Sequence, residues 1–197
     1  MFSTQPRIGA VIGTAAAVLV LLGVAGTAYM YSGLYDVSAS SKDNPIVARM
    51  LHSTYEASLH RHGGADVPPA DLLSLENIRA GARTYDASCA LCHGAPDRPL
   101  SAVGEGIQPG APKLLAASRR NQPPLMFWVI KHGVNMTAMP SFGKTQSDTT
   151  LWQVAAFLYT KRGISKGEYD RLVHGADDGP NAAIAGSGSG AAAAGAH

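Results

Sequence analysis

Two cysteines are all the chain has, and both fall in one short stretch, Cys89-Ala90-Leu91-Cys92. That scarcity excludes a disulfide-stapled secreted scaffold, which needs several pairs spread along the sequence. Charge is sparse as well: charged residues are 15% of the 197, and 16 Lys and Arg against 14 Asp and Glu leave a formal net charge of +2. No basic stripe interleaves with aromatic residues, so nucleic acid is not an expected partner. No stretch alternates apolar and polar residues with the two-residue period of a strand, which points to an all-α chain. Large side chains are nearly missing from residues 175–197, a stretch made mostly of Gly, Ala and Ser. Such a segment cannot bury enough apolar surface to offset the entropy of ordering and is expected to be a flexible tail.

What the chain does have begins with an apolar run. From Ile8 to Tyr31 there is no charged residue, and at 1.5 Å per residue a helix of that length crosses a hydrocarbon core about 30 Å thick. Residues 1–33 are therefore expected to be a retained transmembrane anchor. A cleaved signal peptide is the alternative, although its apolar region usually runs only about 7 to 15 residues. Residues 34–73 read as an amphipathic helix and linker. Asn44-Pro45 can start the helix, and Ile46, Val47, Met50, Leu51, Tyr55 and Leu59 recur at helical spacing. Gly63-Gly64 stops it, and Val67-Pro68-Pro69 makes a stiff connection onward. His52, His60 and His62 invite a metal or second-haem reading, but histidines on such a helix are ordinarily solvated or partner-facing.

The main domain is expected over residues 74–174. Ser74 can cap a helix over 75–90, Pro124 can open one over 124–132 that Gly133 stops, and Ser147-Asp148 can cap another over 149–161. A short last helix is expected over 165–172. The intervening loops, 94–123 and 133–146, are rich in Pro and Gly and long for a small domain. Something other than side chains must fill the core they enclose.

Cys89-Ala90-Leu91-Cys92-His93 supplies a candidate. Two thiols one helical turn apart can form thioethers with the two vinyl groups of one haem, and the adjacent His93 can reach its iron from the same side. A thioredoxin-like redox pair would need a strand-and-helix context, and a structural zinc site would need two further ligands at finger spacing; neither is found. One covalent haem c held by Cys89 and Cys92, with His93 on the iron, is the expected cofactor. The sixth iron position decides between a closed electron carrier and an open site for small molecules. Met136 and Met139 compete for it. Met139 precedes Pro140, whose fixed φ and missing N–H would help hold an extended loop against the ring; otherwise both methionines are flexible apolar filler. Arg119, Arg120 and Lys131 are candidates for propionate or partner contacts, with ordinary solvated charge as the competing reading.

The stretch over residues 79–158 resembles a class I cytochrome c domain, specifically the single-haem domains of the oxidase cytochrome c subunit III type. The likeness rests on three motifs. They are Gly81-x-x-x-Tyr85-x-x-x-Cys89-Ala-Leu-Cys92-His93-Gly94, His132-Gly133-Val-Asn-Met-Thr-Ala-Met139-Pro140-Ser-Phe142-Gly143, and Leu151-Trp152-x-x-x-x-Phe157-Leu158. It implies three to five helices wrapped around one haem, His93 and Met139 as axial ligands, and a crossing of the first and last helices. Gly81 would let the backbones approach there, with Trp152 or Phe157 filling the gap. The whole chain, with its Tyr35-Asp36-Val37-Ser38-Ala39-Ser40 segment, also resembles bacterial membrane-anchored cytochromes of the same family. A second CxxCH and the histidine set of a haem–copper subunit are absent, so oxygen reduction by that family's route is not expected of this chain alone.

The expected function is therefore single-electron transfer in a periplasmic respiratory or photosynthetic chain, as a shuttle or as a subunit of a complex. Haem attachment at CxxCH belongs outside the cytoplasm, which would place the haem domain in the periplasm on a single-pass anchor in the cytoplasmic membrane. Partners would be redox proteins such as an oxidase, a dehydrogenase, a quinol-linked complex or a reaction centre, with no small-molecule substrate and no catalytic residue. The alternative is a haem enzyme or gas-sensing module with a labile sixth ligand.

Overall fold

Every regular element is a helix in the computed structural model, which describes residues 5–175; no strand occurs among the described residues. The all-α expectation holds. The tail expected over 175–197 lies, apart from Gly175, outside the described residues. The chain divides into two units, Met1–Ser41 and Lys42–His197.

The first unit is dominated by α1, Gln5–Tyr31, whose stretch Ile8–Tyr31 is long and apolar enough to cross a membrane. Its two threonines would be liabilities in hydrocarbon. Thr14 Oγ1 donates to the Ala10 carbonyl at 2.9 Å and Thr27 Oγ1 to the Gly23 carbonyl at 2.8 Å, so neither hydroxyl is left unpaired.

The second unit opens with α2, Pro45–His62, whose first N–H groups are taken by the Asn44 side chain. It rests on the domain by its far end: Leu59 is buried, and the His62 ring stacks on Trp128 at 6.2 Å. Just before α2, Asp43 accepts a hydrogen bond from the Gln108 amide at 2.9 Å.

The haem-motif domain is built on a crossing of α3, Leu75–Ser88, with α7, Asp148–Thr160. Ser74 and Ser147 cap them as expected, each side chain accepting from the backbone N–H three residues on; caps of this kind contribute about 1 kcal/mol each. At the crossing, a Cβ on Gly81 would overlap the Gln153 carbonyl, so only glycine permits this approach. Beside it Tyr85 and Phe157 pack with centroids 5.4 Å apart, both fully buried. Of the two aromatic candidates for that gap, Phe157 fills it. Trp152 instead stacks on Phe127 of α6, Pro123–His132, at 4.1 Å. The last helix, α8, Lys166–His174, lays Tyr169 and Leu172 against α3.

Two details depart from the expected helix pattern. The helix expected over 75–90 ends at Ser88 with Cys89 as its cap, and a separate one-turn α4, Ala90–His93, follows. The loop after it contains a further turn, α5, Ala102–Glu105, and Phe142–Lys144 makes a 3-10 turn after the methionine loop.

Candidate haem-binding site

The break at Cys89 gives the motif its shape. Cys89 closes α3 by donating its backbone N–H to the Tyr85 carbonyl at 2.8 Å, and its own carbonyl accepts from the N–H groups of Cys92 and His93 at 3.1 and 2.9 Å. The two cysteines and the histidine thus sit on one tight turn at the end of a long, packed helix. Burial, and the neighbouring Cys92, push the Cys89 thiol up to about 12. A thiol so hard to ionise does not suit thiol–disulfide exchange, which needs a thiolate at ordinary pH.

His93 is held at one ring nitrogen. Its Nδ1 lies 2.7 Å from the Pro112 carbonyl oxygen, and with Nδ1 protonated and donating, Nε2 is left as the lone-pair atom. Burial lowers the pKa of this imidazole, against the opposing effect of the Pro112 bond, and so favours the neutral form that a metal ligand requires.

The loop after His93 is fastened to α3 at consecutive residues. Tyr85 donates its hydroxyl to the Gly94 carbonyl at 2.7 Å. Asp86 accepts from Arg98 at 2.7 Å and from the Tyr169 hydroxyl of α8 at 2.9 Å. Further on, the Ser101 hydroxyl donates to the Leu91 carbonyl, and a Cβ on Gly104 would press on that same carbonyl and on Cys92, so α5 sits directly on the cysteine turn. A cavity of about 500 Å³ opens beside the ring of His93, walled by the 94–100 loop, Lys113, Leu115 and Ile164. Neither cysteine nor Met139 lines it, so it flanks the motif and is not the whole of a cofactor cleft.

The methionine loop separates the two sulfur candidates. Gly133, at φ +69°, ends α6, and a Cβ there would collide with the Met139 carbonyl and with Pro140. The loop folds back on this glycine: Val134 N–H donates to the Met139 carbonyl at 3.1 Å, Met139 N–H to Thr137 Oγ1 at 3.1 Å, and Ser141 Oγ to the Lys131 carbonyl at 2.7 Å. Met139 is half-buried against the core, whereas Met136 is 78% exposed on a left-handed residue at φ 59°.

Other candidates find different places. Lys131 pairs with Asp148 at 2.8 Å and lies over the Phe127 ring. The Arg119 carbonyl accepts from Arg162. His52 and His60 point outward on either side of Glu56, at 3.8 and 3.9 Å, and no group of three metal-ligating side chains occurs among the described residues. Two contributors gave no sign in the sequence. Pro112 acts through its carbonyl, which every residue has. Asn121, inside the polar run Arg119-Arg120-Asn121-Gln122, is 2% exposed, and its amide donates to the carbonyls of Leu114 and Leu158 at 3.0 and 2.9 Å, tying the long loop to the end of α7.

Residues 76–158 match the family described as cytochrome c oxidase, cbb3-type, subunit III. This stretch is a c-type cytochrome domain. No curated protein and no solved structure matches the chain. A cytochrome domain of this family binds haem c, and the residues fit that group. Two thiols and an imidazole share one turn, burial favours the neutral imidazole and the Pro112 carbonyl holds its Nδ1, and a thioether stands half-buried on a loop restrained at both ends. The chemistry this supports is electron transfer.

Proposed function

We propose that this chain is a membrane-anchored, single-haem c-type cytochrome that passes single electrons between redox proteins at the outer face of the cytoplasmic membrane. Cys89 and Cys92 would tether the haem by thioether bonds, His93 would ligate the iron through Nε2, and Met139 would supply the opposite ligand. The observation that carries this reading is the Nδ1 contact of His93 to the Pro112 carbonyl, because it fixes the free nitrogen of a motif histidine inside a domain that matches a cytochrome family. Bound haem supplies a one-electron couple, and a thioether ligand in apolar surroundings favours its reduced form.

The protein's own part is to hold those groups still. Asp86, Arg98 and Tyr85 fix the loop on the histidine side, and Gly133 and Ser141 fix the loop that bears Met139. Ligands that do not shift between charge states keep reorganisation small. Intact mass of the mature protein should exceed the polypeptide by one haem. In the reduced protein, Met139→Ala should admit carbon monoxide and lower the reduction potential, while Met136→Ala should leave both unchanged. Carbon monoxide uptake by the unaltered protein at neutral pH would transfer the case to an open-iron enzyme or sensor.

A further inference from the structure

The amino-terminal half of α2 bears an apolar face that the domain leaves uncovered. Ile46 and Met50 lie four residues apart, as do Val47 and Leu51, so the four share one side of little more than a turn of helix. They are 69%, 66%, 44% and 50% exposed. At 100° per residue this face points away from the arc of His52 and Glu56 and from buried Leu59, through which α2 rests on the domain. At the same spacing Arg49 lies beside Glu56, off this face, while Lys42 precedes the helix.

We propose that this face lies in the headgroup and upper acyl layer of the bilayer, so that α2 holds the cytochrome domain at the membrane surface. The proposal rests on the reading of α1 as a membrane anchor. Covalent continuity supplies the first support: thirteen residues, 32–44, separate α1 from α2, and a chain of that length reaches at most about 45 Å. A link of that length leaves the face within reach of the lipid surface. Charge is the second, since the Lys42 side chain, just before the helix, can extend to anionic headgroups. Size is the third. Four side chains over one turn fall well short of the ~800 Å² per partner that a stable protein interface buries, whereas insertion into lipid needs no complementary surface.

The haem-loaded full chain, with both native thiols used by the cofactor, allows one specific label. A nitroxide on Met50→Cys, in nanodiscs of phosphatidylethanolamine with a minority of phosphatidylglycerol, should collide more with oxygen than with a water-soluble nickel chelate. A nitroxide on His52→Cys should show the reverse. Equal wetting of both positions would overturn the proposal. So would protection of position 50 from both reagents, which would mean that protein covers it. Incorporation into the discs, followed by haem absorbance, reads the anchor separately: a chain that stays outside the discs fails as an anchored cytochrome, whereas an incorporated chain wet at position 50 fails only here.

Discussion

Asn121 shows how one side chain can hold a loop that has little core of its own. Its two amide hydrogens go to the carbonyls of Leu114 and Leu158, 44 residues apart in the chain, and the oxygen Oδ1 has no partner among the described residues. Replacing it by leucine keeps the volume but leaves the carbonyls of Leu114 and Leu158 buried and unpaired, at a cost of roughly 2–4 kcal/mol. A urea titration of Asn121→Leu should show a lower midpoint with an unchanged slope. Asp86 yields a pH dependence. Burial raises its pKa, but the hydrogen bonds from Arg98 and Tyr169 and the nearby charges of Arg98 and His174 outweigh that and leave it below the ordinary value. A carboxyl depressed in the folded state stabilises fully above its unfolded pKa, about 3.9, and loses that contribution as pH falls through the lower folded value. Stability should therefore decline below about pH 4, and Asp86→Asn should flatten the decline while costing on the order of 1 kcal/mol near neutrality. Thermal unfolding across that range compares the two.

At the scale of elements, the crossing of α3 with α7 is the part of the fold most open to a decisive test. Intrinsic helix propensity favours alanine over glycine by about 1 kcal/mol. At position 81 the added methyl would meet the Gln153 backbone, which cannot step aside as a side chain could. Gly81→Ala should therefore destabilise by about 3 kcal/mol or more despite its better propensity. Gly110→Ala, with nothing within 4 Å of the new methyl, should stay within about 0.5 kcal/mol of the parent. Differential denaturation of the two variants measures the contrast. This crossing was expected from the family resemblance, with which Gly81 agrees, and the caps were legible because Ser74 and Ser147 stand directly before periodic runs. The break at Cys89 was not, since Ala90-Leu91-Cys92-His93 continues the helical pattern without a Gly or Pro. Nor were the loop contacts, because a backbone carbonyl such as that of Pro112 leaves no trace in residue type. The apolar positions of α2 showed a helix but not which of them would be covered, and Leu59 and Met50 look alike until the domain is placed beside them.

For the whole molecule, the reach of the electron carrier depends on how much of residues 32–73 swings freely. Because Asp43 bonds Gln108, Leu59 is buried and Leu72 joins the core, the segment from Lys42 onward travels with the cytochrome domain. Only residues 32–41 remain as tether. On the proposed anchoring, ten residues behaving as a free chain would span about 16–19 Å on average, where the full stretch would give about twice that. If anchored as proposed, such a carrier would suit an acceptor in the same membrane. If α2 also rests on lipid, the tether and the apolar face restrain the domain in parallel, and removing either alone should matter little. Adding about twenty Gly and Ser residues after Ser40 to a Met50→Ser, Leu51→Ser chain should lower the effective concentration about fivefold, from the −3/2 power of linker length. The rate of haem reoxidation in native membranes after an oxygen pulse should fall by that factor in the combined variant and much less in either parent. A fivefold fall with the longer tether alone would mean the apolar face holds nothing, and no change in the combined variant would mean the acceptor is soluble.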